Sequence, residues 1–299
     1  MLTIKELSFF YENKQVLYDL DITLHKNTIT GLIGQNGAGK STLMRCIAGL
    51  CQPNVGQVLL DGQPILHNLQ DSFAKIGYLP DFFGLSDGLT VLEHLTYSAH
   101  AKGLPKDSVA QAVEQSAKLL NLTDKLLTKV GELSRGQRQR VGIGQVIIHR
   151  PKLLILDEPA SGLDPKARHE LSQLFLTLKE AGMTLLVSSH ILSELDEYCT
   201  HVLLLEDGRI KQHVKLDEQE TTWVVEFVTW QDDFAWQIAC IDGVQSLVTD
   251  DTHHRVSIKL ADNKKSTQAK VLQALIAQNL PVCAASVAGH SAKDVLFNV

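Results

Sequence analysis

The chain has 299 residues, 44% of them apolar, which is long and apolar enough for a sizeable core and for two domains. Its 34 acidic and 28 basic residues leave a net charge of −6, which argues against long stretches of nucleic acid as the main partner. No apolar run approaches the roughly 20 residues needed to cross a bilayer, and the N-terminus lacks a signal-like apolar core, so a cytoplasmic protein that moves nothing across a membrane unaided is expected.

Leu2 to Phe9, the alternation of Leu20, Ile22 and Leu24, and Val58 to Leu60 read as strands of an antiparallel subdomain. Thr28 to Ile33 reads as a short buried strand that runs into the loop GQNGAGKS, Gly34 to Ser41, after which Leu43, Ile47 and Leu50 recur at helical spacing. Strand, glycine loop and helix in that order make a phosphate-binding loop. Backbone N–H groups of the loop and of the helix start are expected to meet the α- and β-phosphates. Lys40 is expected at the β/γ-phosphates, with the Ser41 hydroxyl on Mg²⁺.

Ile76 to Leu79 forms a further strand, followed by Asp81 and by Phe82, Phe83 and Leu85, unusually apolar residues for a loop. Leu89 to Leu120 then reads as helical, broken at Leu104-Pro105 before Asp107 or Ser108 starts a helix with the apolar stripe Val109, Ala112, Val113, Ala117 and Leu120. Leu153 to Leu156 is a continuous apolar run, as in a parallel strand covered on both faces, and it delivers Asp157 and Glu158 to the carboxyl edge where such sheets bind ligands. Asp157 is expected to complete the Mg²⁺ shell through water, and Glu158 to polarise an attacking water.

The P-loop, the stretch Leu133-Ser134-Arg135-Gly136-Gln137, the run LLILDEP, the following Ser161-Gly162-Leu163-Asp164, and His190 after the apolar strand Thr184 to Val187 together resemble the ATP-binding-cassette (ABC) ATPases. The resemblance covers about residues 1 to 215. It implies an α/β P-loop NTPase cassette: a parallel core sheet, an antiparallel β subdomain and a helical subdomain over about residues 82–145. It also implies an ATP site made of Tyr11, Gly34, Asn36, Gly37, Ala38, Gly39, Lys40, Ser41 and Thr42, with Ser41, Asp81 and Asp157 at Mg²⁺ and with Glu158, His190 and Lys40 as the catalytic set. Ser134, Gly136 and Gln137 would face the γ-phosphate of an ATP held by a partner subunit. Ser134 can cap the helix that begins near Arg135, whose N-terminus offers N–H donors to an anion. Asp164 would belong to the segment that communicates across the dimer, and His190 would contact the γ-phosphate and orient Glu158 and the water.

Tyr11 stands where the family usually places a ring that stacks on adenine, with Phe10 as the substitute. The alternative to stacking is that Phe9, Phe10 and Tyr11 simply pack or edge the N-terminal sheet. Two positions depart from the family pattern. Asp81 replaces the usual glutamine, keeping an oxygen ligand but adding negative charge, as is frequent in prokaryotic exporter ATPases. Arg135 replaces the usual glycine, and its guanidinium could reinforce anion binding or lie in solvent. In the family the Asp81 loop and the helical region receive coupling helices of membrane subunits. Phe82, Phe83 and Leu85 therefore read either as docking surface or as residues buried against neighbouring helices.

Beyond Lys215, Trp223 to Val228, Val244 to Val248, Arg255 to Leu260 and Pro281 to Val287 read as strands, with helices over Asp232 to Ile241 and Ser266 to Gln278. That β-α-β-β-α-β order suggests a small α+β accessory domain over 216–299, and the ending Asp294-Val295-Leu296-Phe297 is similar to the tails of exporter ATPases. His253 and His254 at a turn, and His290, read as exposed rather than as metal ligands. Cys46, Cys51, Cys199, Cys240 and Cys283 are odd in number and show no CxxC spacing, so neither a disulfide framework nor a zinc site is indicated.

The resulting expectation is the ATP-hydrolysing subunit of a prokaryotic exporter, using ATP and Mg²⁺. It would be peripheral on the inner face of the cytoplasmic membrane, paired with a second ATPase subunit (a homodimer being sufficient) and with integral membrane permease subunits, and no nucleic acid partner is expected. The rival expectation is a soluble cassette ATPase that remodels a ribosomal, DNA or iron–sulfur assembly complex.

Overall fold

The computed structural model describes residues 1–216, 222–250, 252, 254–260 and 265–288. His253, His290 and the Asp294 to Phe297 segment lie outside the described residues. The chain divides into two compact units, Met1–Leu216 and Asp217–Val299.

The first unit opens with β1 (Leu2–Tyr11), β2 (Lys14–Leu24), β3 (Ile29–Ile33), α1 (Lys40–Ile47), β4 (Val55–Leu60), β5 (Gln63–Pro64), α2 (Leu69–Lys75) and β6 (Ile76–Leu79). It continues with α3 (Val91–Ala101), α4 (Lys106–Leu119), α5 (Arg135–Ile147), β7 (Leu153–Leu156), α6 (Pro165–Glu180), β8 (Thr184–Ser189), α7 (Leu192–Leu195), β9 (His201–Glu206) and β10 (Arg209–Lys215). β2, β1, β4 and β5 form an antiparallel sheet in that order, with Leu2, Ile4, Leu20, Ile22 and Leu24 buried. The core sheet runs β10-β9-β3-β8-β7-β6, parallel from β9 to β6, with β10 antiparallel at the edge. Every residue of β3 and β7 is buried, as a sheet covered on both faces requires.

Parallel pairing places the carboxyl ends of four strands along one edge. In spatial order β6 delivers Asp81, β7 delivers Asp157 and Glu158, β8 delivers Ser188 to His190, and β3 delivers the P-loop. Residues more than a hundred positions apart therefore meet there.

Two local expectations change. Leu50 lies outside α1 and is exposed, because the helix ends in a Schellman turn. Leu50 N donates to Arg45 O at 2.9 Å and Gly49 N to Cys46 O at 3.1 Å, with Gly49 at φ +72°. α4 begins at Lys106, directly after Pro105, whose fixed φ suits a helix start; Asp107 falls within the first turn.

The second unit contains β11 (Thr222–Phe227), α8 (Asp232–Ala239), β12 (Val244–Asp250), β13 (Arg255–Leu260), α9 (Lys265–Ala277) and β14 (Val282–Ala288). Its sheet, ordered β12-β13-β11-β14, is antiparallel throughout, and Val225, Val256 and Ile258 from the sheet pack with Ile238, Val271 and Leu275 from the helices. This is the split βαβ topology that the element order suggests.

Candidate functional site

The P-loop joins β3 to α1 through two glycines in left-handed backbone, Gly37 at φ +86° and Gly39 at φ +105°. Gly34 has no room for a side chain, since a Cβ there would lie 2.2 Å from Leu205 O. Asn36, Gly37 and Ser41 are exposed, whereas Gly34, Ala38, Gly39, Lys40 and Thr42 are buried. α1 starts at Gly39 without a side-chain cap and without an acid in its first turn, leaving the positive end of its dipole open to an anion. Lys40 Nζ lies inside the loop, donating to Gly34 O at 2.7 Å and to Gln35 O at 3.4 Å, and is 3.5 Å from Glu158 Oε1. A lysine only 7% exposed and aimed into a ring of backbone groups is the arrangement a polyphosphate requires.

Glu158 connects the P-loop to His190. Its Oε2 lies 2.7 Å from His190 Nδ1 while its Oε1 faces Lys40. The residue adopts φ +47°, a left-handed backbone that non-glycine residues avoid and that marks stored strain at functional positions. Asp157, only 4% exposed, is the deeper acid and points elsewhere.

Sequence reasoning missed the group that sets this divergence. Ser188 is fully buried, donates to Asp157 Oδ1 at 2.7 Å and accepts Glu158 N at 2.7 Å. One hydroxyl thus fixes a carboxylate and the backbone of the next residue. The only available signal was the small polar pair before His190 at the end of an apolar strand.

Asp81 stands at the same edge. Burial, then the neighbouring Asp157 and Glu158 charges, push its carboxyl up, and the Arg135 guanidinium pulls it partly back. Ser41, Asp81 and Asp157 are one hydroxyl and two carboxylates, the kind of hard oxygen donor Mg²⁺ takes, although among the described residues no group of three or more His, Cys, Asp or Glu side chains is placed to hold a metal ion.

Ser134, Gly136, Gln137 and Asp164 line a separate open groove of about 610 Å³ that no P-loop residue lines. Ser134 caps α5 in a capping box: its Oγ accepts Gln137 N at 3.3 Å and its own N–H donates to Gln137 Oε1 at 3.0 Å. Gly136 packs against α6, where a Cβ would lie 3.1 Å from Ala167 Cβ. Arg135 is exposed and does not line this groove; its Nη2 donates to Ser161 O at 3.1 Å.

Tyr11 is 43% exposed at the end of β1 and meets Phe9 edge-on, with centroids 4.8 Å apart, so one ring packs inward while the other presents a face outward. Phe82 and Phe83 divide in the same way. Phe82 is 91% exposed, whereas Phe83 lies over α5 so closely that a Cβ on Gly142 would be 2.2 Å from its ring.

A profile of the ABC transporter family matches residues 17–161. The bacitracin transport ATP-binding protein BcrA of Bacillus licheniformis is 35% identical over 213 residues, 71% of this chain and 69% of its own length. The Nod factor export ATP-binding protein I of Cupriavidus metallidurans is 32% identical over 230 residues, covering 76% of each chain.

This chain belongs to the ABC transporter ATP-binding proteins.

It is an ABC-type ATP hydrolase with the cassette fold. The solved structure of cbiO1 from Clostridium perfringens, described as part of the ABC transporter complex cbiONQ, superposes with a TM-score of 0.66 at 27% identity, over 72% of this chain and 88% of that one. Among the described residues, no helix of this ABC protein is long and apolar enough to cross a membrane.

Proposed function

We propose that this chain is the nucleotide-binding subunit of a prokaryotic ABC exporter, closing as a dimer around two MgATP and driving separate integral membrane permease subunits. The observation that carries the reading is Glu158 held between Lys40 and His190 beside the P-loop. In this mechanism Lys40 exchanges the carbonyls of Gly34 and Gln35 for β- and γ-phosphate oxygens. Backbone N–H groups from Asn36 to Thr42 receive the remaining charge.

Ser41 would hold Mg²⁺ by its hydroxyl and Asp157 through water, with Asp81 beside them. Held there, the ion would supply neutralisation of the negative charge on the β- and γ-phosphates. Glu158 accepts the hydrogen bond of the attacking water, and His190 fixes that carboxylate through Nδ1. Tyr11 stacks on adenine. Ser134, Gly136 and Gln137 complete the partner's site, using the N–H groups of the α5 N-terminus that the capping box itself does not take up.

Export as the direction is supported by the likeness to the bacitracin transport and Nod factor export proteins. Phe82 is the docking residue for the permease, on the cytoplasmic side of the membrane, and residues 216–299 act as an accessory domain. No nucleic acid partner is part of this reading.

The experiment is affinity capture of the tagged chain from detergent-solubilised native membranes, followed by mass spectrometry. A stoichiometric multi-helix partner is expected. Recovery of soluble partners alone would replace the exporter with the remodelling ATPase.

A further inference from the structure

Arg135 stands in the middle of the Leu133 to Gln137 stretch and opens α5, yet its guanidinium leaves its own helix. Nη2 donates to Ser161 O at 3.1 Å. The guanidinium also lies flat on Gly162, where a Cβ would come within 2.2 Å of Nη2 and 2.3 Å of Cζ, and Gly162 is held at φ +66°. Ser161 to Asp164 leads directly into α6, whose first turn Asp164 caps by accepting Ala167 N at 2.9 Å. Ala167 in turn touches Gly136, one residue beyond Arg135. The starts of α5 and α6 are thus joined at two points: Arg135 on the loop, and Gly136 on Ala167.

We infer that Arg135 is a positioning residue that fastens the Ser161 to Asp164 loop to the start of α5, so that both segments meet the partner subunit as one surface. The inference rests on the composite dimer site proposed above. Glycine, usual at this position, has no side chain to make the connection. The planar guanidinium can donate to a carbonyl and cover a glycine at once, which the point charge of lysine cannot do. The same guanidinium pulls the Asp81 carboxyl partly back down, so the two departures from the family pattern lie within electrostatic reach of each other.

The test is ATP-dependent dimerisation of the full chain carrying Glu158→Gln, followed by light scattering against ATP concentration. Arg135→Ala and Arg135→Lys are each expected to raise the ATP midpoint about five- to tenfold, the size of one ordinary hydrogen bond, with the thermal midpoint unchanged. Gly162→Ala keeps the charge and forces the guanidinium off the loop but also strains a backbone at φ +66°, so it is read through its coupling to Arg135→Ala. It should shift the midpoint similarly, and Arg135→Ala added to it should cost little more, because the two changes break one contact. Parent-like midpoints for all three single variants would overturn the inference. So would a parent-like Arg135→Lys beside a weakened Arg135→Ala, which would assign the residue to simple attraction of an anion. If the Glu158→Gln chain binds ATP but never dimerises, the composite site falls and the inference with it.

Discussion

The Ser188 hydroxyl donates to Asp157 Oδ1 at 2.7 Å and, as acceptor, holds the backbone N–H of Glu158 at the same distance. Two adjacent acids thereby point in different directions from the end of one strand. Glu158 pays for that divergence with a left-handed backbone.

Ser188→Ala leaves Glu158 N–H without its partner in a buried site and removes the donor from Asp157. A stability loss of about 1–3 kcal/mol is expected, together with a lower kcat and a higher Mg²⁺ requirement. Thermal melting and ATPase assays across Mg²⁺ concentration measure both. An unchanged Mg²⁺ requirement would separate Ser188 from the placement of Asp157.

Tyr11→Ala removes the exposed ring at the end of β1. A base–aromatic stack is worth about 1–3 kcal/mol, so KM for ATP should rise roughly five- to a hundredfold, with kcat little changed, and Tyr11→Phe should behave like the parent. Equal KM values for Tyr11→Ala and the parent would leave Tyr11 as packing for Phe9.

His149 couples stability to pH. Burial, reinforced by the Lys102 ammonium, pushes its imidazole down from 6.5 to about 4, with Nε2 3.3 Å from Ile76 O. The unfolded chain therefore takes up this proton at higher pH than the folded one. The contribution is whole above about pH 6.5 and is lost as pH falls toward 4, amounting to up to about 3 kcal/mol. His149→Gln should flatten the fall of the thermal midpoint across that window. An identical fall in both proteins would exclude His149 as its source.

Phe82 projects into solvent with 91% of its surface exposed. Phe82→Ser should leave the thermal midpoint of the isolated chain within about a degree or two, since exposed substitutions cost little, and should reduce recovery of the membrane partner. Phe83→Ser should instead lower the midpoint, because that ring covers Gly142. Undiminished recovery with Phe82→Ser would move the docking surface elsewhere.

The segments that meet at the candidate site were legible because each is short and contiguous. The glycine loop, the LLILDEP strand and His190 each announce strand, turn and candidate side chain within about ten residues. The split βαβ order of the second unit was equally legible, since strand and helix periods alternate cleanly over Trp223 to Val287. Leu50 misled because helical spacing continues past a residue that Gly49 turns out of the helix.

The order of motifs along the chain determined by itself the family and the set of residues at the strand ends, because local backbone chemistry decides which segments are strand, loop or helix. Only the tertiary structure decided what those residues do to one another: Ser188 between Asp157 and Glu158, Arg135 on the loop at Gly162, Phe82 outward and Phe83 inward. The physical reason is range. Each of these contacts joins segments 26 to 59 positions apart, or turns one of two identical side chains inward, and depends on strand order and packing that no local period encodes.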